Sequence, residues 1–302
     1  MAAKESQRCS WIGLHDALRN FVTTAESTQS QLHIKPLHWH LACRLVIEGG
    51  FLPDDITPRP PFQVEVRGSG SARHFLHYDP DLGGKGEQVV LGGLKTKQVD
   101  VVVSKAGIGP CVALSAKGTR NAFRNFTNRM EEAVGDCTNL HLAYPALVYG
   151  FIVILSANRH GPVPRAAQSF LTGDSQGNVK KPDMALDSAG EPVPMITRFH
   201  DAVSGLANRS GARNSITKYE SVALVLVSPN EGLEGTALDT YPLADSPLRY
   251  EDFFGRILRA YDERFVYFAP DLQSITRRIA WDPESPALHA EQMADFNPRR
   301  SS

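Results

Sequence analysis

From Ala146 to Leu155 the chain reads ALVYGFIVIL, ten residues without a charge. A run this apolar is too short to span a bilayer, so it is expected as a fully buried strand. Just upstream, Val99, Val101 and Val103 alternate as one face of a shorter strand, which puts Asp100 on the opposite face. In the next strand Cys111 to Lys117 alternate in the same way, and Ser115 and Lys117, two apart, share a face. Between them Ala106-Gly107-Ile108-Gly109-Pro110 supplies the flexible and φ-locked residues that a reversal needs. A carboxylate on one strand and an ammonium on the next thereby converge.

A helix follows. Phe123, Phe126, Met130 and Val134 recur at helical spacing and define a buried stripe. At about 100° per residue Glu131 falls nearer that stripe than Glu132, which is expected to point to solvent. Asp100 and Glu131 can then hold a hard cation such as Mg2+ through oxygen, leaving positions for water and a phosphate oxygen. The cation would stabilise developing charge and acidify the attacking water, while Lys117 orients that water or neutralises the phosphorus centre. Phosphodiester hydrolysis is the chemistry this outlines.

Asp100 followed by Ser115-Ala116-Lys117 resembles the strand pair of the PD-(D/E)xK nuclease superfamily, with Ser115 where the second acid normally stands. In one subgroup of type II restriction endonucleases that acid is replaced, often by serine, and a glutamate on the following helix takes its role. Thirteen residues separate Lys117 from Glu131, as in that subgroup. The resemblance covers about residues 40 to 155. It implies a restriction-endonuclease-like mixed central sheet flanked by helices, with Asp100 and Glu131 as Mg2+ ligands and Lys117 at the water. Ser115 would be a neighbour of the site, and Glu48, on the helix before the sheet, a helper at the metal. The chain departs from the pattern where Val99 replaces the proline before Asp100. Arg120-Asn121-Ala122-Phe123-Arg124 also lacks the aspartate of the Arg-x-Asp-Arg run carried by members that cut CCGG-type sites, although Arg124 matches its last arginine.

The remaining sequence supplies the frame. Trp11, Leu14, Leu18, Phe21 and Val22 predict a helix within 1–36, and Leu41, Leu45 and Val46 a second helix closed by Gly49-Gly50. Phe62 to Val66 alternates as a strand, Gly68 to Gly86 reads as a loop, and Met195 to Leu206 as a helix. Tyr219 to Ser228 is a second buried strand, Tyr250 to Phe265 an amphipathic helix, and the segment around Trp281 an irregular arm. Strands interleaved with helices give a mixed α/β fold. One domain, 1–302, is expected: an N-terminal helical segment at 1–36, a catalytic core at 37–155, and the rest of the sheet with recognition loops and a C-terminal arm at 156–302.

His33, His38 and His40 invite a zinc reading, but no second pair of ligands follows at a recognisable spacing; a satisfied or solvent-facing cluster is the other reading. Asn158, Arg159, Lys180 and Lys181, with Arg120 and Arg124, are candidates for base or phosphate contacts. A net charge of −1 argues mildly against a nucleic-acid binder, yet a specific enzyme needs only a locally basic cleft. Four cysteines without CxxC spacing and an N-terminus without an apolar core suit a cytoplasmic protein with no membrane partner. The expected activity is Mg2+-dependent, site-specific cleavage of double-stranded DNA by a homodimer or homotetramer, since a palindromic site matches a two-fold protein. A catalytically inactive DNA-binding protein of the same fold, a repair or junction-resolving nuclease, and a hydrolase of small phosphoesters are the alternatives.

Overall fold

The computed structural model describes residues 8–25, 31–68, 72–211 and 215–301, apart from the side chain of Arg124. Helices α1 (Leu14–Thr23) and α2 (Lys35–Ile47) come first, followed by β1 (Ile56–Thr57) and the hairpin β2 (Phe62–Arg67) and β3 (Arg73–Tyr78). A second hairpin, β4 (Gln88–Leu91) and β5 (Thr96–Val99), leads through Asp100 into β6 (Val101–Lys105), and β7 (Gly109–Thr119) turns back along it. Then come α3 (Phe126–Ala143), β8 (Val148–Ser156), α4 (Pro194–Ser204), β9 (Ser221–Val227), α5 (Tyr250–Tyr261) and the single turn α6 (Gln273–Thr276).

The central sheet has the order β1-β6-β7-β8-β9. β6 and β7 are antiparallel, whereas β7, β8 and β9 run parallel and are joined by helical crossovers. Helices on both faces explain why every residue of β8 and β9 is buried. One face packs Leu114, Ile152 and Ala223 against α1, α2 and α5, and the other packs Tyr149, Phe151 and Leu224 against α3 and α4. The chain is thus mixed α/β, as the interleaved pattern predicts. Among the described residues no helix is long and apolar enough to cross a membrane.

One irregularity of the sheet makes room for a site. The β6–β7 ladder stops at Val101 and Leu114, while β7 runs on beside β8 as far as Thr119 and Leu155. The last residues of β7 therefore leave β6 behind and form one wall of a cleft. At Gly118 the packing is so close that an added Cβ would stand 2.5 Å from the Phe21 ring of α1.

Three expectations need correction. Gly68 to Gly86 is not only loop: β3 lies within it, with Phe75 buried beneath the guanidinium groups of Arg67 and Arg73. Val99 does not share a face with Val101 and Val103, because the chain bends at Asp100 and turns Val99 to the α3 side with Val102. The buried stripe of α3 runs through Phe126, Ala133, Cys137 and Leu140, so Val134 lies off it. The C-terminal segment is irregular, as expected, and it is packed: Trp281 is fully buried and its indole N–H donates to the Val46 carbonyl at 2.9 Å.

His40 gives this fold a pH dependence. Its buried imidazole Nδ1 lies 3.0 Å from the Ile12 carbonyl oxygen, a contact that suits a neutral ring donating a proton. Burial, and then the Arg44 guanidinium, push its pKa down to about 3, against the opposing pull of the Ile12 carbonyl. Between 6.5 and about 3 the unfolded chain takes up a proton that the native ring refuses. Stability should therefore fall with pH across that window, by up to about 1.4 kcal/mol per pH unit from this residue. Urea midpoints at pH 7 and pH 5 check this: His40→Asn, which can still donate to Ile12, should lose part of the dependence, and an unchanged slope would contradict it.

Candidate functional site

Asp100 occupies the bend between β5 and β6. Its carboxylate is buried, and Oδ2 accepts the Ala116 N–H at 2.8 Å, just past the point where the ladder between the strands ends. Glu87 immediately precedes β4, and Asp100 immediately follows β5. Pairing of Gln88 with Val99 therefore closes the hairpin with the two carboxylates side by side. From α2, His38 enters between them, its Nδ1 3.7 Å from Glu87 Oε1 and its Nε2 3.9 Å from Asp100 Oδ1.

These distances exceed a hydrogen bond, and the buried Nε2 of His38 has no hydrogen-bond partner. One ligand atom from each of the three residues falls within 4.8 Å of the others. Burial, and next the neighbouring Asp100, raise the Glu87 carboxyl above its ordinary range, a repulsion that a bound cation would relieve. An orphaned buried nitrogen and two crowded carboxylates fit a divalent cation.

Lys117 projects from the free end of β7, its ammonium 3.5 Å from Glu132 on α3; Arg129, one turn earlier, reaches the same carboxylate at 3.1 Å. Burial works to raise the Glu132 carboxyl, but Lys117 and then Arg129 outweigh it and hold it below the usual carboxylate range. His38, Asp100, Lys117, Arg120 and Arg129 share the wall of one cleft of about 230 Å³. Arg120 is itself buried, lies 4.4 Å over the Phe170 ring and donates to the Thr24 carbonyl at 2.6 Å. Burial, then Arg120 and His38, push the neighbouring His33 down to about 4, so near neutral pH it is uncharged. The cleft thus holds one carboxylate, Asp100, beside His38, and three cationic side chains, Lys117, Arg120 and Arg129.

The structure thus brings Asp100 and Lys117 to one cleft, together with Arg120, but it redistributes the other expected groups. Glu131 is exposed and Glu132 faces Lys117, the reverse of the periodicity argument, because the α3 stripe is centred on Ala133 rather than Val134. Ser115 is buried, with its hydroxyl 2.9 Å from that of Tyr149. Glu48 caps the far end of α2, about 15 Å along the helix from His38. There it forms a two-pronged pair with Arg44 at 2.9 and 2.6 Å.

Asn158 is fully buried, and its amide donates to the Arg120 and Asp183 carbonyls at 2.7 and 2.8 Å, so it pins loops rather than facing a groove. Arg159 donates to the Ser188 carbonyl, and Lys180 and Lys181 are exposed. The side chain of Arg124 lies outside the described residues.

Two residues of the cluster were not assigned to it from sequence. His38 belongs to the histidine triple, and only the packing of α2 against the sheet singles it out. Glu87 carried a readable signal: Glu87 and Asp100 are equidistant from Gly92-Gly93-Leu94-Lys95, so a hairpin folded there must juxtapose them.

Asn158→Ala should cost about 2–4 kcal/mol, since it strands two buried carbonyls, whereas Lys180→Ala and Lys181→Ala should stay within about 0.5 kcal/mol of the parent. Chemical denaturation of the three variants checks this, and an unperturbed Asn158→Ala would contradict the pinning role. Compared with protein-family models, curated proteins and solved structures, the chain matches none.

Proposed function

We propose that this protein is a divalent-metal-dependent nuclease that hydrolyses phosphodiester bonds of double-stranded DNA, with its centre at Asp100, Glu87 and His38. The observation that carries the reading is the cluster of Asp100, Glu87 and His38, of which Asp100 and His38 line one cleft with Lys117, Arg120 and Arg129. Ser115 stands where the resembling nucleases carry a second acid, and Glu87 supplies a second carboxylate by another route. This weighs against an inactive relative.

A divalent cation held by Asp100, Glu87 and His38 would stabilise developing charge on phosphorus and acidify a water. Asp100 is kept in place by the Ala116 N–H, so it need not reorganise when substrate arrives. Lys117 is tethered by Glu132, placed to donate to an attacking water or a non-bridging phosphate oxygen. Arg120 and Arg129 flank the path of a phosphate chain. Cleavage at a defined short site, a restriction role, Mg2+ as the working ion and a two-fold assembly follow from the resemblance and belong to the same proposal.

The test is cleavage of supercoiled and linear DNA with Mg2+, Mn2+ or EDTA. Asp100→Asn, Glu87→Gln and Lys117→Met should each lower metal-dependent cutting by on the order of a hundredfold or more, while Glu131→Gln and Glu48→Gln cut like the parent. Discrete fragments would identify a site-specific enzyme. No cleavage with any metal, or cleavage indifferent to Asp100 and Lys117, would overturn the reading.

A further inference from the structure

We propose that the centre selects a first-row transition ion such as Mn2+ over Mg2+, because His38 contributes its Nε2 as a ligand. The inference rests on the cluster being a metal centre and is independent of DNA being the substrate.

Three observations carry it. First, His38 is 97 % buried and its Nε2 lacks a hydrogen-bond partner, although Asp100 Oδ1 is only 3.9 Å away. Buried polar nitrogens are nearly always paired, so one that faces a carboxylate without bonding to it suggests that something stands between them. Second, the spacing suits an ion. With bonds of about 2.1 Å, neighbouring ligands of an octahedral cation lie about 3.0 Å apart and opposite ones about 4.2 Å. The separation of Nε2 from Asp100 Oδ1, 3.9 Å, lies near the opposite-ligand value, and one ligand atom from each of the three residues falls within 4.8 Å of the others.

Third, the donor set is mixed. Mg2+ is hard, favours oxygen and gives up its water reluctantly, so an imidazole adds little to its binding. First-row transition ions gain from an imidazole nitrogen, Mn2+ least among them, and two carboxylates keep the set rich enough in oxygen for Mn2+ to serve as the probe of that class. Lys35 and Lys117 act on Glu87, and Arg120 and Arg129 line the cleft beside Asp100 and His38, so the cluster's two carboxylates draw a cation against a partly cationic surrounding.

The competing account is an imidazolium ring held between the two carboxylates with no metal. Calorimetric titration of chelator-treated full-length protein with Mn2+ and with Mg2+, combined with pulsed EPR of the Mn2+ complex, separates the two. The parent should bind one Mn2+ at least tenfold more tightly than Mg2+ and show nitrogen coupling from imidazole. In His38→Ala that coupling should vanish and the preference for Mn2+ should collapse toward parity, with Mg2+ affinity changing less than threefold. Circular dichroism establishes that the variant folds, and the coupling in the parent decides the matter even if it does not. A parent Mn2+ complex without nitrogen coupling, or equal affinities for the two ions, would overturn the proposal. Nitrogen-coupled Mn2+ binding without DNA cleavage would support it and remove only the nuclease reading; cleavage with Mg2+ and no nitrogen coupling would do the opposite.

Discussion

The hydrogen bond from the Ala116 N–H to Asp100 Oδ2, 2.8 Å long and buried, sits where the β6–β7 ladder comes apart. Beyond Val101 and Leu114 the antiparallel ladder has no further rung, and the Ala116 donor would be stranded in a buried position if no acceptor replaced the missing strand. The Asp100 carboxylate is that acceptor. One of its oxygens is committed to holding the strands at their parting, which leaves the other to face His38. The same parting lets β7 continue alone on that side and present Lys117 and Gly118 to the cleft.

The geometry around Asp100 is enforced from a distance. The β4–β5 hairpin, whose flanks are Glu87 and Asp100, is fastened at its tip to α3, where Asn139 Oδ1 accepts the Leu94 and Lys95 N–H groups at 2.8 and 3.0 Å. An ion pair between Lys97 and Asp136 ties the hairpin to the same helix. Since α3 also carries Glu132, one helix fixes the second carboxylate of the cluster and the partner of Lys117. Helix α2, which carries His38, is held at its other end by the Trp281 indole, which donates to the Val46 carbonyl. Such distributed support keeps polar groups within ligand distance of one another without direct bonds between them.

Much of the fold could be read from periodicity: β7, β8, β9 and helices α1, α2, α4 and α5 lie within a few residues of their predicted positions, whereas α3 begins and ends about seven residues later than read. Periodicity reads regular elements, and it failed where regularity is broken. The bend at Asp100 defeated the alternation argument for Val99, since a strand that bends no longer keeps its period of two. On α3 a stripe defined by Phe123 and Val134 was one residue out of phase, and 100° of phase is the difference between Glu131 and Glu132. That Asp100 and Lys117 share one cleft was legible because they sit on adjoining strands with a readable turn. Glu87 joins Asp100 through a hairpin closure and His38 through a helix–sheet contact that no local pattern encodes, while Glu48 lies at the other end of the helix that carries His38.

The most direct test of this account is to locate a bound ion. Crystals soaked in MnCl2 and measured on both sides of the manganese absorption edge should give one strong anomalous peak bounded by Asp100 Oδ1, a Glu87 oxygen and His38 Nε2, and the peak should disappear in Asp100→Asn. A peak elsewhere, or a short direct hydrogen bond between His38 and Asp100 with no peak at all, would contradict it.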